Sequence, residues 1–137
     1  MTDLDRLTRE LGAATQATPA YAQYIAAKEQ NEADDGLNAQ MREIEMIRLS
    51  YQHEAAKGDA ADEAKMDEFD RQFNALYQQV MANPNMQRYR EAATALDTLM
   101  KRTMGILSGC AAGEDPATFE PAAHSCGGDC GGCGGCQ

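Results

Sequence analysis

The chain ends His124-Ser-Cys126-Gly-Gly-Asp-Cys130-Gly-Gly-Cys133-Gly-Gly-Cys136-Gln137, with four cysteines spaced Cys-x3-Cys-x2-Cys-x2-Cys inside an eleven-residue run. Thiolates are the ligands of soft metal ions and of iron–sulfur clusters. The intervening glycines free the backbone to take positive φ, so several sulfurs can turn toward one centre while amides donate to cluster sulfur. A tail of this composition has no core of its own and orders only with a metal, a partner chain or both.

The spacing narrows the choice of metal. Structural zinc sites commonly bring two cysteine pairs together from loops a dozen or more residues apart. Here every sulfur comes from one tight loop, as in the local part of a ferredoxin-type site. A [4Fe-4S] cluster on Cys126, Cys130, Cys133 and Cys136 is the leading expectation, with zinc or copper(I) as the alternative and an unmetallated, redox-active tail as a third. Cys110 and His124 are weaker candidates for an additional ligand. The same Cys-x3-Cys-x2-Cys core occurs in radical S-adenosylmethionine enzymes, but those need a barrel of alternating strands and helices, and this chain has no strand pattern to build one.

The rest of the chain must carry and position that tail. Of 137 residues, 43% are hydrophobic and 6% aromatic, and the net charge is -10. All five cysteines and eight of the twelve glycines lie from Gly109 onward, so the averages describe neither part. Residues 1–108 hold twelve basic and eighteen acidic residues, a net of -6; the tail adds Glu114, Asp115, Glu120 and Asp129 with no cation to offset them. Such a balance argues against direct nucleic-acid binding, which needs clustered Lys and Arg. No run of about 18 apolar residues is present, and Met1-Thr-Asp-Leu-Asp lacks the order of a signal peptide. The expected setting is therefore the cytoplasm, where cysteines are metal ligands or redox thiols more often than disulfides.

Apolar residues in the body recur at steps of three and four. Leu4, Leu7, Leu11 and Ala14 form one stripe; Leu37, Met41, Ile44, Ile47 or Arg48, and Tyr51 another; then come Met66, Phe69, Phe73, Leu76 and Val80; and finally Met86, Tyr89, Ala93, Leu96, Met100 and Leu107, with Thr103 at the one missing step. That period belongs to helices. Thr18-Pro19 and Asn83-Pro84 each set a capping side chain before a proline suited to the first helical position, and Gly58-Asp59 reads as a stop and restart. Five helices follow, near residues 3–16, 19–33, 36–57, 60–82 and 84–108. The fold class is all-α, an antiparallel bundle of about five helices with a disordered Gly/Cys-rich C-terminal tail. Its parts are a helical domain over 1–108, a flexible linker over 109–125 and a metal-binding tail over 126–137.

Nothing in the body reads as an active site. His53, its only histidine, falls near a helix end and reads as solvated; pairs such as Asp34-Asp35 and Glu43 with Glu45 read as solvated helix surface. No enzymatic role is expected. Two helix starts share a pattern, Pro19-Ala-Tyr-Ala-Gln-Tyr24-Ile-Ala-Ala27 and Pro84-Asn-Met-Gln-Arg-Tyr89-Arg-Glu-Ala92, in which the shared tyrosine, Tyr24 or Tyr89, is expected to pack its ring inward with its hydroxyl at the wet edge, with docking of a partner as the alternative.

With Thr18-Pro19-Ala-Tyr-Ala-Gln-Tyr near its start and Asn83-Pro84-Asn-Met-Gln-Arg-Tyr-Arg-Glu-Ala near its end, the body resembles the YlbF/YmcA family of small helical bacterial regulators over roughly residues 3–108. Some members of that family carry a cysteine-bearing tail, which Cys126, Cys130 and Cys133 match in spacing. The resemblance implies a non-enzymatic adaptor whose family members form a hetero-oligomer with one another and a third protein, bind [4Fe-4S] clusters, and modulate mRNA processing by the endoribonuclease RNase Y, with effects on competence, sporulation and biofilm formation; for this chain the expected partner is a copy of itself or a related family member. The fourth cysteine, Cys136, and the dense glycine run go beyond the pattern.

Overall fold

The computed structural model describes residues 1–122, all-α with no strand among them. Five helices run α1 Asp3–Gln16, α2 Pro19–Glu32, α3 Asp35–Ala55, α4 Glu63–Ala82 and α5 Pro84–Ala111, with one 3₁₀ turn at Gly58–Ala60. Each start has a local cause. Thr2 and Asp5 form a reciprocal capping box on α1, the Asp5 amide donating to Thr2 Oγ1 at 3.1 Å and the Thr2 amide to Asp5 Oδ2 at 2.8 Å. Thr18 caps α2 ahead of Pro19. The restart expected at Asp59 falls instead at Asp62, whose carboxylate accepts from the Ala64 and Lys65 amides. Residues 58–60 become a single 3₁₀ turn, entered through Gly58 at φ 60°.

Two compact units divide the chain, Met1–Leu96 and Asp97–Gln137. Within the first, α3 and α4 make the most extensive helix pairing, an antiparallel hairpin. One end of the hairpin is closed by Glu54, which is only 5% exposed and accepts from Lys57 Nζ and from the Asp62 amide, each at 2.8 Å. At the other end Gln40 donates to Gln79, and Leu37 and Val80 are the largest fully buried side chains, 1% and 2% exposed. Among the described residues the buried apolar set is completed by Ala27 and Ala92 alone. No residue of α1 is buried; Leu4 is 72% and Leu7 52% exposed. So few buried side chains leave the first unit with a small core.

In the second unit, the expected end of the last helix at 108 and the flexible linker from 109 need correcting over the described residues. The helix runs to Ala111 and closes in a Schellman motif: the Glu114 amide donates to the Gly109 carbonyl and the Gly113 amide to the Cys110 carbonyl, both at 3.0 Å, with Gly113 at φ 99°. The chain then turns back on its own helix. Asp115 organises the turn, its carbonyl accepting from the Phe119 amide and its carboxylate from the Ala117 amide, both at 2.9 Å. The Phe119 ring lies so close over Gly109 that a Cβ there would sit 2.1 Å from ring carbon Cε1, and Pro121 stands over Gly105 in the same way at 2.9 Å. Arg102 Nη1 and Glu120 Oε2 pair at 2.8 Å. Two small residues one turn apart admit the returning chain, which composition alone does not reveal.

Candidate functional site

The Asn83–Tyr89 segment converges on the second helix and its following turn. Asn83 works at both ends of its amide: Oδ1 accepts from the Asn85 amide at 2.8 Å and the Met86 amide at 3.3 Å, capping α5, while Nδ2 donates to Asp34 Oδ2 at 3.1 Å. Asn85 Nδ2 donates to the same Asp34 oxygen at 3.1 Å. The other oxygen, Oδ1, accepts from the Leu37 amide at 2.9 Å and so caps α3. One carboxylate therefore ties the α2–α3 turn to the α4–α5 turn. This corrects the reading of Asp34 as solvated surface; its neighbour Asp35 and the Glu43/Glu45 pair are exposed as expected. The Leu37 amide, with the Asn83 and Asn85 amides beside it, holds the Asp34 carboxyl below its ordinary pKa.

The two tyrosines of the repeated pattern meet each other. Tyr24 and Tyr89 lie with ring centroids 5.7 Å apart and planes tilted by 34°, both half-buried. A hydrogen bond with Tyr24, the charge the neighbouring phenol would carry, and burial all raise the Tyr89 pKa. Asn31 Nδ2 reaches Met86 Sδ at 3.9 Å, and Arg88 Nη1 reaches Gln30 Oε1 at 3.5 Å. Below this junction a groove of about 360 Å³ is floored by Ala26, Ala27, Ala92 and Ala95 and edged by Gln23, Gln30, Arg88 and Glu91. These contacts give the Asn-Pro-Asn-Met-Gln-Arg-Tyr run a docking role within the chain.

A family model described as control of the competence regulator ComK, YlbF/YmcA, matches residues 4–109. The chain belongs to the YlbF/YmcA family. No curated protein and no solved structure matches it. The matched span runs from the first turn of α1 into the last turn of α5, so it takes in the Thr18–Tyr24 and Asn83–Ala92 segments and stops short of the Gly113 turn and the cysteine run. The family's described role, control of a competence regulator, is regulatory.

Cys126, Cys130, Cys133 and Cys136, together with His124, lie outside the described residues. Cys110 is half-buried in the final turn of α5 as a free thiol. Among the described residues no group of three or more His, Cys, Asp or Glu is arranged to hold a metal ion, and no helix is long and apolar enough to cross a membrane. His53 is exposed in the last turn of α3, as expected from the sequence. The displaced carboxyls serve structure. Lys57 above all, then the Asp62 amide, hold Glu54 below its ordinary pKa; Arg102 does the same for Glu120. Sequence reasoning passed over Asp34, Glu54 and Gly113. A signal existed for Asp34 and Gly113, an Asp before a helix stripe and a Gly after one; for Glu54 there was none, because its partners are set by the turn that follows.

Proposed function

We propose that this YlbF/YmcA-family chain is a non-enzymatic regulatory adaptor that assembles with a copy of itself or with a related family member and carries a [4Fe-4S] cluster on Cys126, Cys130, Cys133 and Cys136. By family kinship, the process it modulates is RNase Y-dependent mRNA processing, and through it competence, sporulation and biofilm development. The observation that carries this reading is the order of the chain: a family-matched helical body ending at residue 109, followed by four closely spaced thiols at Cys126, Cys130, Cys133 and Cys136. Assembly is supported by a body that buries only Ala27, Leu37, Val80 and Ala92 of its apolar side chains while Leu4, Leu7, Met46 and Leu49 stand exposed. Four soft, anionic donors suit an iron–sulfur core, which when bound supplies a redox- and oxygen-sensitive centre.

Anaerobic purification followed by iron and sulfide analysis tests the cluster. A brown protein with iron and sulfide in matched amounts, losing both in a Cys126/Cys130/Cys133 triple serine variant, is expected. A colourless protein binding one zinc overturns the cluster, and several soft metal ions per chain without sulfide point to metal buffering.

A further inference from the structure

Between its ends the α3–α4 hairpin packs chiefly on itself, and no other helix pairing in the first unit approaches it in extent. Its seam residues Ile44, Ile47, Tyr51, Phe69, Phe73 and Leu76 are all half-buried, and between the closed ends of the hairpin none falls in the buried class. A seam buried by a third or fourth helix would not look like this. The open side is a groove of about 170 Å³ lined by Ile47, Tyr51, Phe69 and Phe73, with Arg48 and Asp70 as its polar members. Tyr77, stacked on Phe73 with centroids 5.9 Å apart, is still 46% exposed. By helical spacing, Met41, Ile44, Arg48 and Tyr51 form one stripe and Met66, Asp70, Phe73 and Tyr77 the other.

We propose that a second copy of this chain covers that face, two α3–α4 hairpins packing in a twofold four-helix bundle in which Arg48 of each copy faces Asp70 of the other. This rests on the assembly part of the reading above and deepens it by naming the surface. Three observations select a second copy. Helices of about 20 residues are about 30 Å long, and two side by side span about 20 Å, so the face measures about 600 Å² in projection, close to the ~800 Å² each partner gives a standard interface. The face is self-complementary in charge, one cation and one anion at the same groove, as a twofold contact requires. Asp70 makes no ion pair among the described residues, whereas Arg48 already holds Glu45 through Nε at 2.9 Å and through Nη2, and keeps its Nη1 donors for a facing carboxylate.

Sedimentation of the full chain with excess reductant and chelator, which removes any cluster-bridged association, tests this. A dimer is expected, weakened about tenfold or more by Asp70→Arg or Arg48→Glu, each of which sets like charges face to face twice per dimer, and restored to within about threefold by the double variant. Circular dichroism establishes that each variant keeps its helices. Because Arg48 and Asp70 share one groove in the chain, a second measurement fixes the surface: p-benzoylphenylalanine at Tyr77 in mixed ¹⁴N and ¹⁵N chains should cross-link light α4 to heavy α3 or α4. A monomer at about 100 µM, cross-links only to α1 or α5, or single variants without effect on the dissociation constant would overturn the proposal. A chain that holds its cluster but pairs elsewhere fails here while the cluster reading stands, and a clusterless chain that pairs through this face does the reverse.

Discussion

Replacing Gly109 with alanine opposes two effects of similar size. Alanine is the better helix former by up to about 1 kcal/mol. Its Cβ, however, would stand 2.1 Å from Phe119 Cε1, where carbon atoms rest at about 3.5–4.0 Å, so the ring must move off the helix by well over about 1 Å. Full burial of a phenylalanine is worth about 2–3 kcal/mol, and Phe119 is half-buried, so the loss is about 1–1.5 kcal/mol. The two nearly cancel in overall stability, and Tm should move by less than about 3 °C. Local opening should not cancel. Chymotrypsin cleavage after Phe119 should quicken about 5- to 10-fold, the factor that 1–1.5 kcal/mol of easier opening implies. The decisive comparison uses a Phe119→Ala background, where the clash is gone: there Gly109→Ala should stabilise by the full helix-propensity gain. If the substitution raises Tm equally with and without the ring, Phe119 does not lie on Gly109 and the fold-back is wrong.

Other consequences follow from the first unit. Leu37→Ala, at a position 1% exposed in a small core, should cost about 3 kcal/mol and lower Tm by about 10 °C, while Leu7→Ala in exposed α1 should cost under about 0.5 kcal/mol; equal effects in thermal melts would contradict the core assignment. Asn83→Ala removes both the α5 cap and a donor to Asp34 and should cost about 1–2 kcal/mol in urea melts. Asn83→Asp keeps the cap but sets a second carboxylate beside Asp34, so its deficit should be larger at pH 7 than at pH 4. Asp34, Glu54 and Glu120 all have folded pKa values below their ordinary ones; the stability they add is therefore complete above the ordinary carboxylate range and is lost as pH falls below that range through their folded pKa values. Tm measured from pH 7 to pH 3 should fall, and Glu54→Gln should flatten that fall.

Helices were legible because their causes are local. Steps of three and four among Met66, Phe69, Phe73, Leu76 and Val80 leave little choice of element, and Thr18-Pro19 and Asn83-Pro84 mark starts within a residue of those observed. Where boundaries missed, a nearby residue set the end: Asp62 rather than Asp59 caps α4, and α5 runs past 108 to turn at Gly113.

By itself the sequence determined the helical class, the family, the caps at Thr18 and Asn83 and the thiol spacing that suits a soft metal, since each depends on residues a few positions apart. Only the tertiary structure decided that Asp34 accepts from Asn83 and Asn85, that Tyr24 lies against Tyr89, that Gly105 and Gly109 admit Pro121 and Phe119, and that the α3–α4 seam is left half-covered. Those pairings join residues ten to sixty-five positions apart. Periodicity says which face of a helix is apolar; which surface meets that face, or that none in the chain does, depends on how the turns aim the helices in space.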